Sequence, residues 1–568
     1  MRRVISALLL AACSVAPETP SPVEPAAAPA DDPSAPGAER DLASVDIAVN
    51  EAYGTPPQCW ANPKGAGGVE HNGCYTCHAD ARSPNFIGSP ELQVEYAFPE
   101  VAFDNRWTNV FVDRSAAAEA ISDQDILAWV RQDNYHAEDG TIALQQVLSD
   151  VPAGWDADHD GAWSGFVPDA WLRFDARGFD LDPDGNPTGW RTYAWHPRPG
   201  LFLPTNGAMA DALIRLPEVF RSDAEGALDL DIYAINLAVL EAVIKRADVV
   251  IPPTDEAALG VDLDKDGTLA TATRVTYDWA PKEDRLMSWV GAARLASDRG
   301  EVQRPTAGLF PVGTELFHTL RYIDVVDGQV AMAPRMKEVR YLTKRTWMTY
   351  GDLRDRAQAE AKEDLAYTDR VPPIVGDVEH GVRLNNGWNA AAFIEDAHGQ
   401  LRPQTRPELG FCTGCHSGAS STDDAVFSFG RKVDAEGRLG GWYHWSEHPM
   451  QLTDWQRGDG QGAYATYVRA VRGGDPFRAN DEVIARFIGD DGAPDEAAIA
   501  GLATDATPLL LPSPERALKL NKVYKVLVGE QSFDRGRDPL PALSEAQAHR
   551  IVEEGQATGI TRVVTAGW

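Results

Sequence analysis

The sequence predicts a mixed α/β, loop-rich fold, mainly helical around two short cysteine motifs, and three observations carry that expectation. Cys74-Tyr75-Thr76-Cys77-His78 and Cys412-Thr413-Gly414-Cys415-His416 repeat one five-residue pattern 338 residues apart (412 − 74). Windows 116–130, 284–296, 353–365, 514–528 and 544–554 set apolar residues three and four apart, the spacing of a half-buried helix. Between them run stretches dense in Gly, Pro and Trp, such as 189–207 (GWRTYAWHPRPGLFLPTNG), whose turn residues argue for irregular chain pinned by aromatics. A length of 568 residues, 43% hydrophobic and 9% aromatic, supplies enough apolar surface for packed cores.

Residues 1–13 (MRRVISALLLAAC) set Arg2 and Arg3 before a short apolar run, then small residues before a cysteine, the layout of an export signal. The ending Leu10-Ala11-Ala12-Cys13 resembles the lipobox of bacterial lipoproteins. That resemblance implies acylation of Cys13, and Ser14 in place of Asp implies the outer membrane as destination, facing the periplasm or the cell surface. The apolar run is too short to span a bilayer, and no later stretch holds 18 consecutive apolar residues, so the expected membrane hold is the lipid alone.

Residues 14–45 begin SVAPETPSPVEPAAAPADDPSAPGAERDLA, a Pro/Ala/acid run with too little apolar surface to fold, and read as an extended tether. The globular remainder divides into an N-terminal motif region (46–215) with Asp-rich loops, a middle region without cysteine (216–380), and a C-terminal motif region (381–568). The alternating run 314–325 reads as a strand.

Both motifs fit C-x-x-C-H, the attachment pattern for c-type haem. The spacing has a chemical reason: two thiols three positions apart on a helical turn each add to one vinyl group of the same haem, and the adjacent histidine is aimed at the iron. With six cysteines and twelve histidines in the chain, one such match by chance is expected on the order of one in a thousand times. The expected cofactors are therefore two covalent haems, on Cys74 and Cys77 with His78 as proximal ligand, and on Cys412 and Cys415 with His416. Cys59 is left over, and a buried thiol is its expected state.

The second axial ligand decides whether such a centre only carries electrons or also does chemistry. For the second motif, His444 and His448 in the aromatic segment 442–450 are candidates, with His444 28 residues after His416 (444 − 416). For the first motif, His318 is the candidate, because a strand over 314–325 sets it on one face with Leu316, Leu320 and Tyr322. A core histidine satisfied by hydrogen bonds is the other reading of His318. His136 lies in a polar turn, and His71 sits on the attachment side, three residues before Cys74.

Three segments repeat D-x-D-x-D-G, the first half of a calcium loop: Asp156, Asp158 and Asp160; Asp180, Asp182 and Asp184; Asp262, Asp264 and Asp266. Their twelfth positions, Val167, Arg191 and Thr273, lack the closing carboxylate, so regulatory EF-hands are not expected, and calcium that pins a loop is the remaining reading, beside plain solvated turns.

A net charge of −33 disfavours nucleic acid and suits basic redox partners such as basic cytochromes. The chain resembles the dihaem and multihaem c-type cytochromes of bacteria through its two pentapeptides and its lipoprotein signal. The resemblance implies an electron carrier of the cell envelope rather than an enzyme. The alternative is a peroxidase-like dihaem oxidoreductase with one open site, although the 338-residue spacing departs from the shorter separation expected of those enzymes. An interaction subunit docking through its acidic surface is a third reading.

Overall fold

A computed structural model describes residues 54–64, 68–78, 83–84, 86–87, 90–193, 204–366, 375–384, 386–416, 421–422, 424, 453–454, 456, 460–473, 480–538 and 542–565. Its strands, in chain order, are β1 (Phe86–Ile87), β2 (Phe179–Leu181), β3 (Pro187–Thr192), β4 (Ala212–Arg215), β5 (Val249–Asp255), β6 (Thr271–Val275) and β7 (Glu315–Val326). There follow β8 (Gln329–Lys344), β9 (Gly376–Asp377), β10 (Gly381–Arg383), β11 (Trp388–Glu395), β12 (Leu401–Pro403) and β13 (Ser421–Thr422).

Nine of these form one sheet in the order β2-β3-β4-β7-β8-β11-β10-β9, with β12 alongside β11. Every pairing in it is antiparallel. The expected mainly helical body around haems is therefore corrected: a large antiparallel sheet organises the chain, and helices pack on it. Strands from 179 to 403 cross all three sequence regions, so those regions share one folded unit.

The centre of the sheet is the hairpin of β7 and β8. Asp327 and Gly328 turn it with positive φ at both residues, 51° and 77°, the geometry that matches strand twist and that Asp-Gly tolerates. The expected strand over 314–325 is thus present as β7. Side chains alternate between faces: Ile214, Leu316 and Ala392 enter one core, Leu213, Phe317 and Phe393 the other. On the first face lies the helix Leu230–Lys245, buried along almost its whole length. The Asp229 side chain caps its start, and Arg246 in the left-handed region ends it. The helix Arg406–His416 packs on the same face, with Leu409 and Cys412 in the same apolar cluster. The second motif therefore sits against the sheet.

The central strands also bury ions, each with a partner: Arg321 with Asp211 at 2.6 Å, Arg335 with Glu395 at 2.5 Å, and Arg340 with Glu338 at 2.8 Å. Buried charge survives only when paired and hydrogen-bonded.

Among the expected helices, 514–528 is Pro514–Glu530, started by the Ser513 cap and a proline in its first turn. The window 353–365 lies within Tyr350–Ala366. The window 116–130 splits into Ser115–Glu119 and Asp123–Val130, because Ser122 caps a new helix. The window 284–296 is helical only from Gly291–Asp298, as Asp284 is left-handed. The window 544–554 is corrected: a turn over 545–547 leads into irregular chain that bridges Ala61 through Ala548 and Asp104 through Ile551. Among the described residues no helix is long and apolar enough to cross a membrane.

Candidate functional site

The second motif ends the helix Arg406–His416, and the sequence before it explains where that helix starts. Thr405 and Glu408 form a capping box: the Glu408 amide donates to Thr405 Oγ1 at 3.3 Å and the Thr405 amide to Glu408 Oε2 at 2.7 Å. Arg402 holds the Glu408 carboxylate at 2.8 Å. Cys412 and His416, four residues apart, then share one helical face.

That face forms one wall of a mostly apolar pocket lined by both residues. The opposite wall is the sheet. His318 on β7 and Arg340 on β8 are directly opposed cross-strand neighbours, so their side chains leave the same face. Ala212, Ala390 and Ala391 flank them and leave the cavity room that larger side chains would fill.

His318 Nδ1 donates to the Thr319 carbonyl at 3.1 Å, which puts the lone pair on Nε2. Burial, then Arg340 and His416, push its pKa down to about 3, so the ring is neutral, the form that ligates metals. Burial also pushes the Cys412 thiol up, against the pull of Arg340 and Arg537. The His416 carbonyl accepts from Asn386 Nδ2 at 3.1 Å. The Asn386 carbonyl in turn accepts from Lys344 Nζ at 2.7 Å, and Lys344 is buried against Asp424. The end of the attachment helix is thus latched to β8. A thiol and an imidazole on one wall and a second imidazole on the other, with apolar surface between them, are donor types that suit a haem c, and the residues present fit the group in their chemistry.

The first motif is a single 3-10 turn, Gly73–Thr76. Asn72 Oδ1 caps it by accepting from the Tyr75 amide at 3.1 Å, and the Cys74 carbonyl accepts from the Cys77 and His78 amides at 3.1 and 2.8 Å. Gln93, fully buried, clamps the turn: it donates to the His78 carbonyl and to the Val564 carbonyl, and accepts from Asn72 Nδ2 at 3.2 Å. Burial, then Cys77, push the Cys74 thiol up to about 12. His71 Nδ1 is paired to the Val471 carbonyl at 3.2 Å. His549 was not among the expected residues: it packs edge-on to Tyr96 at 5.4 Å, half-buried, and Tyr96 in turn feels the Cys74 and Cys59 thiols. Only the tertiary fold brings it there.

The chain segments that flank the two motifs meet in space. β1 follows the first and β13 follows the second, and they pair antiparallel, Phe86 with Thr422 and Ile87 with Ser421. Trp60, Tyr96 and Trp107 form one buried cluster with Cys59 and Phe411, the residue before Cys412, and the Trp107 and Phe411 rings meet edge to face at 5.2 Å.

His318 belongs to the second motif's cavity, which corrects its expected pairing with the first: the hairpin carries it under the helix Arg406–His416. His444, His448 and Cys13 lie outside the described residues, as does the side chain of Cys415. His136 pairs with Asp133 at 2.9 Å.

Of the acidic loops, Asp156, Asp158 and Asp160 converge their carboxylates, and Asp262 and Asp264 converge with Glu256 instead of Asp266, which caps Thr268. Asp180 is buried and accepts from the Trp171 and Arg173 amides, both at 2.9 Å; Asp182 braces the Asn186 turn, with Asp184 bonded to it. In two loops a carboxylate remote from the twelfth position closes the turn: Glu379 accepts from the Ala157 amide at 3.1 Å, and Glu256 from the Leu263 amide at 2.6 Å.

A lipoprotein family model matches residues 45–500. An uncharacterized lipoprotein of Aquifex aeolicus (strain VF5) is 30% identical over 512 residues, covering 82% of this chain and 81% of the relative. No solved structure matches the chain.

Proposed function

The chain belongs to this lipoprotein family, and from that premise we propose that it is a dihaem c-type cytochrome that transfers electrons in the bacterial cell envelope, held there by lipid on Cys13. The observation that carries the reading is the convergence of Cys412, His416 and His318 on one apolar cavity. A haem bound there supplies a one-electron couple between ferric and ferrous iron.

The chain's own residues do the rest. Cys74, Cys77, Cys412 and Cys415 would be the attachment thiols, and His78 and His416 would hold the irons. His318, which lines the same pocket as His416, would be a further ligand for a haem iron held there, with its tautomer set by the Thr319 carbonyl. Gln93 and Asn386 grip the carbonyls of His78 and His416, which limits how far either imidazole moves between redox states. Burial of His78 and Cys412 would limit water at a metal held by these motifs.

One observation favours a second reading. Arg340 stands beside His318 in the cavity, and an imidazole with a guanidinium over an open site suits peroxide activation. In that peroxidase-like oxidoreductase His318 is an acid-base group and not a ligand.

Optical and electron paramagnetic resonance spectra of the purified ferric protein, then of the reduced protein with and without carbon monoxide, separate the two. The electron-carrier reading expects a low-spin C-terminal centre that carbon monoxide does not shift. A high-spin signal at that centre with carbon monoxide binding contradicts it and favours the open site.

A further inference from the structure

The connection between β5 and β6 carries a group of carboxylates that electron transfer does not use. Glu256, in the short helix Glu256–Leu259, and Asp262 and Asp264, in the loop after it, each bring one carboxylate oxygen within 4.8 Å of the others. Glu256 is 1% exposed and lies six residues before Asp262 (262 − 256). Its Oε1 accepts from the Leu263 and Asp264 amides at 2.6 and 3.2 Å, and its Oε2 from the Ala270 amide at 3.0 Å, so its carboxylate closes the loop from within. Val261 and Leu263 anchor that loop in the same core as the helix Leu230–Lys245.

Asp262 Oδ2 accepts from the Gly267 amide at 3.1 Å, but Asp262 Oδ1 is withdrawn from solvent and no donor among the described residues meets it. A buried carboxylate oxygen without a donor is costly, and two further carboxylates beside it raise that cost. The nearby cations are engaged elsewhere: Lys265 Nζ donates to the Leu286 carbonyl at 3.2 Å, and Arg294 Nη1 to the Leu259 carbonyl at 3.1 Å. Among the described residues none of the three carboxylates forms an ion pair. The loop at Asp180 differs, because its first aspartate is satisfied at both oxygens, by the Arg173 amide at Oδ1 and the Trp171 amide at Oδ2.

We propose that Glu256, Asp262 and Asp264 bind one calcium ion, with Asp262 Oδ1 among its ligands. Calcium holds its oxygen ligands at about 2.3–2.6 Å, so oxygens within 4.8 Å of one another match the width of one ion's ligand shell. Magnesium demands shorter, near-octahedral contacts and zinc prefers nitrogen and sulfur, so an all-carboxylate group in a loop selects calcium. Glu256 supplies the closing carboxylate that Thr273, at the twelfth position of the motif, cannot. The ion neutralises the buried oxygen and ties Glu256 to the loop, which pins the β5–β6 connection against the core. The site does not depend on the dihaem reading.

The test is calcium binding by the purified full-length protein, stripped with chelator and dialysed against radiolabelled calcium chloride at about 1 mM, the upper end of the range for extracellular calcium sites. The wild type is expected to hold one ion more per chain than Asp262→Asn or Asp264→Asn, while Asp184→Asn in the other loop binds as the wild type does. The difference between proteins is the readout, because Asp156, Asp158 and Asp160 also converge. Asparagine at 262 keeps an acceptor for the Gly267 amide, and circular dichroism checks that each variant is folded. Hydrogen exchange locates the ion in the wild type alone. Amides in residues 256–270 are expected to slow about tenfold at 1 mM calcium, for a dissociation constant on the order of 10⁻⁴ M, and to slow less in magnesium. Equal calcium content in the wild type and both variants, or exchange in that segment that calcium leaves unchanged, overturns the proposal. Protection by magnesium equal to that by calcium overturns the choice of ion.

Discussion

His318 shows how one side chain acquires meaning from its surroundings. Its strand position makes it inward-facing, its Nδ1 contact with the Thr319 carbonyl selects the tautomer, and the cavity supplies a partner wall. His318→Ala is expected to convert the C-terminal centre from low-spin to high-spin and to open it to carbon monoxide, leaving the other centre unchanged; unaltered spectra would remove His318 as a ligand. Glu338 carries a pH prediction. Arg340 and Arg537 overcome its burial and hold its carboxyl down at about 2, below its ordinary value. A depressed folded pKa contributes stability above the unfolded value that is lost as pH falls toward the folded one. Urea midpoints measured from pH 6 to pH 3 are therefore expected to fall in the wild type and to fall less steeply in Glu338→Gln. The motif residues stand out at this scale because C-x-x-C-H is a contiguous pattern. Arg340, Glu338 and His549 do not, since nothing local distinguishes them and only tertiary contact gives them a role.

At the scale of elements, the attachment helix depends on its first turn. Thr405 and Glu408 exchange hydrogen bonds there, so Thr405→Ala is expected to cost about 1 kcal/mol, read as a lower thermal or urea midpoint. Helices that carry their own caps were legible, as Ser513-Pro514 before Pro514–Glu530 illustrates. β8 was not. Arg335, Lys337, Glu338, Arg340 and Lys344 break its apolar alternation, and they are tolerated because each meets a polar partner: Glu395 and Asp424 meet Arg335 and Lys344, the Gly207 carbonyl meets Lys337, and Glu338 is shared by Arg340 and Arg537. The window 544–554 has helical spacing but makes a turn and two isolated bridges, since pairing with Ala61 and Asp104 overrides local preference. β7 was legible as a strand, yet which motif it faces was not, because that depends on how the hairpin of β7 and β8 sits beneath the helix Arg406–His416.

For the whole molecule, the antiparallel sheet joins chain from residue 179 to residue 403, and the motif segments close on one another across a 338-residue separation (412 − 74). That closure rests on the small β1–β13 pair and on the Trp107–Phe411 contact. Phe411→Ala is expected to lower stability by on the order of 3 kcal/mol, since it empties a site between Trp107 and Arg537; calorimetry checks it. The excess of acidic side chains, a net −33, would favour partners with basic surfaces, and association rates that fall with added salt would report such steering. The central claim is that this lipoprotein carries two covalent haems. The most direct measurement is the intact mass of the purified full-length protein, followed by peptide mapping after haem-attaching expression. The account predicts two haem additions per chain, one on the peptide with Cys74 and Cys77 and one on the peptide with Cys412 and Cys415. A chain bearing no haem on either peptide would contradict it.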